Sequence, residues 1–233
     1  MEHSAALADR AALGEQGQGV NAADECADEI IADLRAIGQP RLIVISGPSG
    51  VGKDTIIDRM RVLYPAMHFA VTATTREKRA GEIDGFHYHF YTPERFASDL
   101  AAGEFLEHAN VYGNYYGVPR TPIRQALAAG QDVVLKVDPQ GAEHFRRLTP
   151  TGIFVFIAPP SMTELERRLR ARKADDAAAM ERRLRTARRE LATVELFDYV
   201  VFNESAREDD TVAQIMAILT AERRRLHQPE VSV

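Results

Sequence analysis

Residues 47–55 follow a short apolar segment and have the spacing of a phosphate-binding loop. The sequence after Arg41 reads L-I-V-I-S and continues G-P-S-G-V-G-K-D-T. In loops of the form G-x-x-x-x-G-K-[S/T], backbone amides surround a phosphate, the lysine reaches the outer phosphates and the last hydroxyl binds Mg²⁺. A helix that begins at the lysine adds its dipole to the anion site. The sequence therefore predicts a nucleotide site made of Gly47, Pro48, Ser49, Gly50, Val51, Gly52, Lys53, Asp54 and Thr55.

Asp54 stands where the pattern expects a hydroxyl. A carboxylate is a strong ligand for a hard cation, but without Mg²⁺ it places negative charge beside the phosphates. The loop is therefore either a working site with an altered metal ligand or a former site kept as a binding module. In a working site we expect Asp54 to approach Mg²⁺, Lys53 and the loop amides to balance its charge, and Thr55 to serve the helix start. ATP binding would then depend steeply on Mg²⁺, because metal-free ATP would meet a bare carboxylate.

Apolar β-type runs alternate with amphipathic segments along most of the chain, which is typical of an α/β fold with a parallel sheet wrapped by helices. The runs are 42–45, 132–137, 153–157 and 199–202, and the helices predicted after them are 53–64, 139–148, 161–172 and 208–226. Aromatic and turn residues interrupt this alternation between about 72 and 118. We expect an inserted β-rich unit there.

Charge and composition set the predicted boundaries. Residues 1–40 contain eight acidic residues against Arg10 and Arg35, a net charge of −6, whereas the whole chain carries −5 and the remainder therefore +1. We predict an acidic N-terminal extension over 1–40, disordered at first and helical over 24–37, then a domain over 41–226 and a tail over 227–233. Within the domain, a lid is expected over about 165–190, with a mobile cap at 173–182.

Cysteine content, hydropathy and net charge indicate the cellular compartment of the protein and whether it binds membranes or nucleic acid. Cys26 is the only cysteine, and neither a secretion signal nor an apolar run of membrane-spanning length occurs. We expect a cytoplasmic protein without a membrane segment. The acidic net charge argues weakly against nucleic acid as a partner, and the oligomeric state stays open.

A second group of residues has the chemistry of a phosphate and base site. Arg76 and Arg79 lie three apart beside hydroxyl residues, and two guanidinium groups can hold one phosphate bidentately. Tyr88 and Tyr116 could donate phenolic hydrogen bonds to the same phosphate. The carboxylate of Glu107 has two acceptors that match the N1–H and N2–H₂ donors of guanine.

Taken together, these motifs resemble the guanylate kinases. The matching segments, in the order and spacing of that family, are I45-S-G-P-S-G-V-G-K53, T74-T-R-E-K-R-A-G-E82, D84-G-F-H-Y-H-F90, G103-E-F-L-E107, G113-N-Y-Y-G117, V137-D-P-Q-G141, F156-I-A-P-P-S161 and V201-F-N203. They extend over roughly residues 41–223. The resemblance implies transfer of the γ-phosphoryl group of Mg-ATP to GMP, and also to dGMP, by a P-loop core with an inserted GMP-binding unit and a helical lid.

The resemblance also implies a role for each matching residue. Arg76, Arg79, Tyr88 and Tyr116 would hold the GMP phosphate, Thr72 and Glu107 would read guanine, and Asp138 would assist at the GMP site or through metal-bound water. Lys53 and the lid-side arginines Arg168, Arg172 and Arg183 would neutralise charge on the transferring phosphoryl group, and Asn203 would face adenine. ATP and Mg²⁺ are the implied cofactors, with Asp54 as the metal ligand.

Besides Asp54, two positions depart from the family pattern. Lys136 stands where an acid is frequent and could instead point to a phosphate, and Val118 stands where a hydroxyl residue often helps to read guanine. Two other functions remain as alternatives, namely an inactive interaction module with this fold and a related kinase for a phosphorylated sugar. The retained lysine, arginines and base-reading pair favour the active GMP kinase.

Overall fold

The structure, a computed structural model, describes residues 29, 31, 39–79, 81–111, 113–172 and 177–225. The chain divides into two compact units, one of residues 1–39 with 217–230 and the other of residues 40–216 with 231–233. The candidate site lies in the larger unit. Apart from Glu29 and Ile31, the predicted helix 24–37 lies outside the described residues, as do the tail 227–233 and residues 173–176 of the predicted cap.

A five-stranded parallel sheet forms the centre of the larger unit, in the order β2-β7-β1-β8-β9. Its strands are β1 Leu42–Ser46, β2 His68–Phe69, β7 Val133–Lys136, β8 Ile153–Ala158 and β9 Tyr199–Phe202. β1 and β8 are buried along their whole length, as expected when helices cover both faces of a sheet. The predicted α/β fold is confirmed. The edge strand β2 was missed because two residues are too short to form a recognisable apolar run.

Helices connect these strands. They are α1 Lys53–Leu63, α2 Pro93–Ala101, α3 Arg120–Ala128, α4 Pro139–Leu148, α5 Met162–Arg172, α6 Ala177–Leu191 and α7 Glu208–Glu222. On one face of the sheet, alternate residues of β1 and β7 pack against apolar side chains of α3 and α4, among them Ile123 and Phe145. The last helix ends four residues before the predicted residue 226. No helix among the described residues is long and apolar enough to cross a bilayer.

The interrupted stretch of sequence forms a second sheet, in the order β4-β3-β6-β5. Its strands are β3 Ala73–Thr74, β4 His89–Phe90, β5 Phe105–Val111 and β6 Asn114–Pro119. Phe96 of α2 stacks on Phe105, with ring centroids 4.5 Å apart. Leu106 and Val118 join the main core cluster, so the inserted unit is anchored to the central sheet through its own apolar residues.

Helices α5 and α6 lie in the region where a lid was predicted, and α6 begins at Ala177, so residues 177–182 are helical where a cap between two helices was expected. Leu165 and Leu169 of α5 form a buried cluster with Met180, Leu184 and Ala187 of α6. Their spacing of three or four residues places them along one face of each helix. The two helices therefore have an apolar core of their own.

Candidate active site

The loop after β1 is held closely against the neighbouring strand. A Cβ atom on Gly47 would lie 2.2 Å from the carbonyl oxygen of Ile157 in β8, and Gly47 has a φ of +142°. Both facts exclude a larger residue without a shift of the backbone. The loop then leads into α1 at Lys53, so its amides and the positive end of the helix lie together as the sequence predicted.

Lys53 is folded back on this loop. Its Nζ atom donates hydrogen bonds to the carbonyl oxygens of Gly47, at 2.5 Å, and Pro48, at 3.2 Å. Burial lowers the pKa of the Lys53 ammonium, while the nearby carboxylates of Glu190, Asp54 and Asp138 act in the opposite direction. The lysine is therefore surrounded by acceptors that a bound phosphate would replace.

Helices α5 and α6 contact the phosphate loop directly. A Cβ atom on Gly50 would lie 2.6 Å from Cδ2 of Leu169 in α5. From α6, the carboxylate of Glu190 accepts a hydrogen bond from the backbone N–H of Ser49 at 3.0 Å. Glu190 is thus bonded to one of the backbone amides that were predicted to bind phosphate. The sequence does not indicate this contact, because the two residues are 141 positions apart.

A cavity of about 580 Å³ extends from the phosphate loop to the inserted sheet. It brings together most of the side chains predicted to act on substrates. Those that line it are Lys53, Asp54, Thr72, Arg76, Arg79, Tyr88, Glu107, Tyr116 and Asp138. Thr55 lies elsewhere, in a separate recess with Asp58 and Asp209.

The arginine and tyrosine residues cluster at one end of this cavity. The guanidinium group of Arg76 lies 5.5 Å from the ring centroid of Tyr88, and the rings of Tyr88 and Tyr116 meet edge to face at 6.1 Å. Glu82 accepts hydrogen bonds from the Arg76 side chain and from the backbone N–H of Arg79, both at 2.7 Å. The bond from Arg76 lowers the pKa of Glu82. Glu82 therefore orients both arginine positions. The sequence alone did not assign Glu82 this role, although it is the last residue of the motif that contains the two arginines.

Glu107 lies half-buried on β5, where the pairing register with β6 shifts between Phe105 and Glu107. Such irregularities re-aim side chains beside functional sites. Burial raises the pKa of Glu107, and the negative charge of Asp138 raises it further. Val118, which offers no hydrogen bond here, is buried among core residues and lines the same cavity.

Asp138 is the N-cap of α4. One of its carboxylate oxygens accepts a hydrogen bond from the backbone N–H of Gly141 at 2.7 Å. This contact fixes the side chain at the carboxyl end of β7, the edge at which parallel α/β sheets bind ligands. The exposed carboxylate also lines the cavity, which is compatible with either of its two predicted roles.

The unusual residues Asp54 and Lys136 are paired with each other. The Nζ atom of Lys136 donates a hydrogen bond to Oδ1 of Asp54 at 2.5 Å. We expected a bare carboxylate balanced by Lys53 and the loop amides, and a Lys136 side chain that could point to phosphate. The structure instead shows a direct partner from β7, because β7 and β1 are adjacent and end at the same edge of the sheet.

Arg168 contacts the phosphate loop from outside the cavity. Its guanidinium group donates hydrogen bonds to the carbonyl oxygens of Val51, at 3.0 Å, and Asn203, at 2.9 Å, and to Glu164 of its own helix at 2.7 Å. Arg183 is half-buried on α6 and does not line the cavity. Arg172 ends α5, and its side chain lies outside the described part of the chain.

Asn203 is buried below the phosphate loop. Its Nδ2 group donates a hydrogen bond to the Val51 carbonyl oxygen at 2.8 Å, and Oδ1 accepts one from the Thr211 hydroxyl at 3.3 Å. A side chain with 4% exposure and both ends bonded internally supports the loop in this structure. The prediction that it faces adenine would require these bonds to rearrange.

Comparison with known proteins gives a consistent family. The family model described as guanylate kinase matches residues 39–222. A guanylate kinase of Carboxydothermus hydrogenoformans is 46% identical over 182 residues, covering 78% of this chain and 88% of the relative. One of Ruegeria sp. is 42% identical over 204 residues, covering 86% and 93%. A crystal structure of guanylate kinase from Anaplasma phagocytophilum is 33% identical with a TM-score of 0.65, covering 82% of this chain and 90% of that one. The chain belongs to the guanylate kinase family.

Proposed function

We propose that this protein transfers the γ-phosphoryl group of ATP to GMP and releases ADP and GDP. An oxygen of the GMP phosphate attacks the γ-phosphorus, and the bond from that phosphorus to the oxygen bridging it to the β-phosphate breaks. The observation that carries the proposal is the cavity that connects Lys53 of the phosphate loop with Arg76, the two tyrosines and Glu107. Donor and acceptor phosphates can therefore meet in one site.

The protein side chains would act by positioning and charge neutralisation, which is what phosphoryl transfer chiefly requires. Lys53 would leave the carbonyl oxygens of Gly47 and Pro48 to contact the outer phosphates of ATP. Arg76 and Arg79 would hold the GMP phosphate, with the hydroxyls of Tyr88 and Tyr116 as further donors. Arg172 and Arg183 would reach the phosphoryl group from the lid.

Base selection would depend on Glu107, with Thr72 lining the same cavity. An ionised carboxylate accepts from N1–H and N2–H₂ of guanine, whereas adenine presents an unprotonated N1 to it. Sites that use a buried polar group in this way discriminate by about 10⁴. dGMP has the same base edge, so we expect it to be an acceptor too.

Magnesium fits the residues near the phosphate loop. Within the described residues no group of three or more His, Cys, Asp or Glu side chains is arranged to hold a metal ion. Mg²⁺ commonly uses one or two carboxylates together with substrate phosphates and water, and the carboxylate of Asp54, which is 66% exposed and lines the cavity next to Lys53, fits this use. When bound, Mg²⁺ would neutralise charge on the transferred phosphate. Asp54 would serve it directly or through water.

A coupled assay of ADP release with GMP, dGMP, AMP, UMP and a set of sugar phosphates as acceptors tests the function. Turnover should be fast with GMP and dGMP and lower by several orders of magnitude with AMP and UMP. Absence of turnover with every acceptor would favour an inactive interaction module, and turnover with sugar phosphates alone would favour the related kinase class.

Replacement of Glu107 by Ala should reduce kcat/KM for GMP by at least about 10²-fold and leave ATP affinity nearly unchanged. Glu104→Ala is a matched control on the same segment, since Glu104 is exposed and accepts a hydrogen bond from the Thr121 hydroxyl at 3.0 Å. Normal GMP phosphorylation by Glu107→Ala would show that another group reads the base.

A further inference from the structure

The two charged departures from the family pattern meet at one point of the cavity. Asp54 lies in the first turn of α1 and Lys136 is the last residue of β7, 82 positions later. Their side chains are 66% and 34% exposed, and both line the cavity between the phosphate loop and the GMP-binding residues.

Both partners are held by regular structure. Lys136 pairs with Ile45 in the register of β7 against β1, and the next residue, Val137, donates its N–H to the Ile45 carbonyl oxygen at 3.1 Å. Asp54 follows Lys53 at the start of α1. The distance between the two backbone positions is therefore set by the phosphate loop and the central sheet rather than by a flexible segment.

Both charges lie beside the residue that would contact ATP. Asp54 directly follows Lys53 in the chain, and the side chain of Lys136 is hydrogen-bonded to Asp54. A triphosphate beside Lys53 would experience the same two opposing charges. A carboxylate alone would repel it, whereas the pair has no net charge.

We propose that Lys136 is a positioning residue for Asp54 that offsets the charge of the carboxylate, so that ATP without metal can approach the phosphate loop. The proposal rests on the proposed function, because it requires ATP to bind beside Lys53. It explains how the loop accommodates an acid in place of a hydroxyl. Asp54 and Lys136, the two charged departures from the family pattern, then form one pair without net charge.

A double-mutant cycle on ATP affinity tests the coupling. Dissociation constants for ATP are measured by calorimetry, with Mg²⁺ and with EDTA, for the native protein, Lys136→Met, Asp54→Ser and the double variant. Lys136→Met should weaken metal-free ATP binding about tenfold, and less when Mg²⁺ is present. The same change made in the Asp54→Ser background should cost at least about threefold less, because Lys136 then has no carboxylate to position.

Conservative and control variants separate this role from a structural one. Lys136→Arg keeps the positive charge and should retain metal-free affinity close to the native value. Asp54→Asn should strengthen the binding of metal-free ATP, because it removes the negative charge of the pair. This variant still tests the proposal if Lys136→Met fails to fold. Arg147→Met removes one positive charge from the surface of α4, where Arg147 pairs with Glu143 at 3.0 Å, and should have little effect.

Equal losses from Lys136→Met in the native and Asp54→Ser backgrounds would overturn the proposal, because Lys136 would then act on the phosphates independently. No loss in either background would overturn it as well. Both results leave the kinase function intact if the native protein phosphorylates GMP. A native protein that binds no ATP would overturn the pair and the proposed function together.

Discussion

Burial of the Glu107 carboxylate has a free-energy cost that substrate can offset. Desolvation and the charge of Asp138 both favour its protonated form, so its pKa lies above the ordinary value near 4.5. A carboxyl group with a raised pKa in the folded protein destabilises that protein as pH rises through the titration. Guanine, with two N–H donors, favours the ionised form. GMP binding at Glu107 would therefore be linked to loss of a proton from this residue.

We predict that GMP affinity falls as pH is lowered through the raised pKa of Glu107, at a higher pH than an ordinary glutamate would give. The protonated group loses one acceptor and gains a donor that guanine cannot use. Calorimetric titration with GMP between about pH 4 and 7 measures the midpoint. Asp138→Asn should move this midpoint to lower pH, because it removes the neighbouring negative charge. Glu107→Gln should lose this pH dependence, and the same midpoint in that variant would exclude Glu107 as the titrating group.

Sequence was informative about single residues where a motif fixes their neighbourhood. The spacing around Lys53, and the motif holding Arg76 and Arg79, identified residues that do line one cavity. Lys136 and Glu190 were not assigned their contacts, because each meets the phosphate loop from a distant part of the chain. Such pairs depend on strand order and helix packing, which spacing alone does not specify.

At the level of elements, the phosphate loop is enclosed by parts of the lid region. Leu169 of α5 lies against Gly50, and Arg168 and Asn203 both bond to the carbonyl oxygen of Val51. Apolar period identified α5, which buries Leu165 and Leu169, but not the start of α6, which lies inside the cap expected at 173–182. It could not show that α6 offers a carboxylate to the loop. A phosphate bound at the Ser49 amide would have to compete with Glu190.

We predict that Glu190→Ala strengthens ATP binding several-fold, because the nucleotide no longer displaces a carboxylate from the Ser49 N–H or works against its charge near Lys53. Calorimetry with ATP measures the effect, and GMP affinity should change little. Glu181→Ala on the same helix is the control, since Glu181 is exposed and faces Arg188 at 3.9 Å. Weaker ATP binding in Glu190→Ala would mean that this contact holds the loop in its binding conformation.

On the scale of the whole molecule, charge and chemistry are separated along the chain. Residues 1–40 hold a net charge of −6, whereas the residues that line the cavity extend from Lys53 to Gly141. Residues 1–39 are grouped with 217–230 in a compact unit distinct from the one that contains the cavity. The net charge of residues 1–40 and their place in a separate compact unit give no indication that they take part in phosphoryl transfer.

A chain that begins at Gln39 is therefore expected to fold and to keep kcat and both KM values within about threefold of the full-length protein. Its Tm should fall more clearly than its kinetic constants change, because the deletion removes residues that share a compact unit with 217–230. Removal of residues 1–22 alone, a segment without apolar period, should change neither quantity. Steady-state kinetics and thermal unfolding of the three chains measure both effects. A folded chain from Gln39 with strongly reduced kcat would place the N-terminal residues in control of the site, since the side chains shown to line the cavity, from Lys53 to Gly141, would still be present.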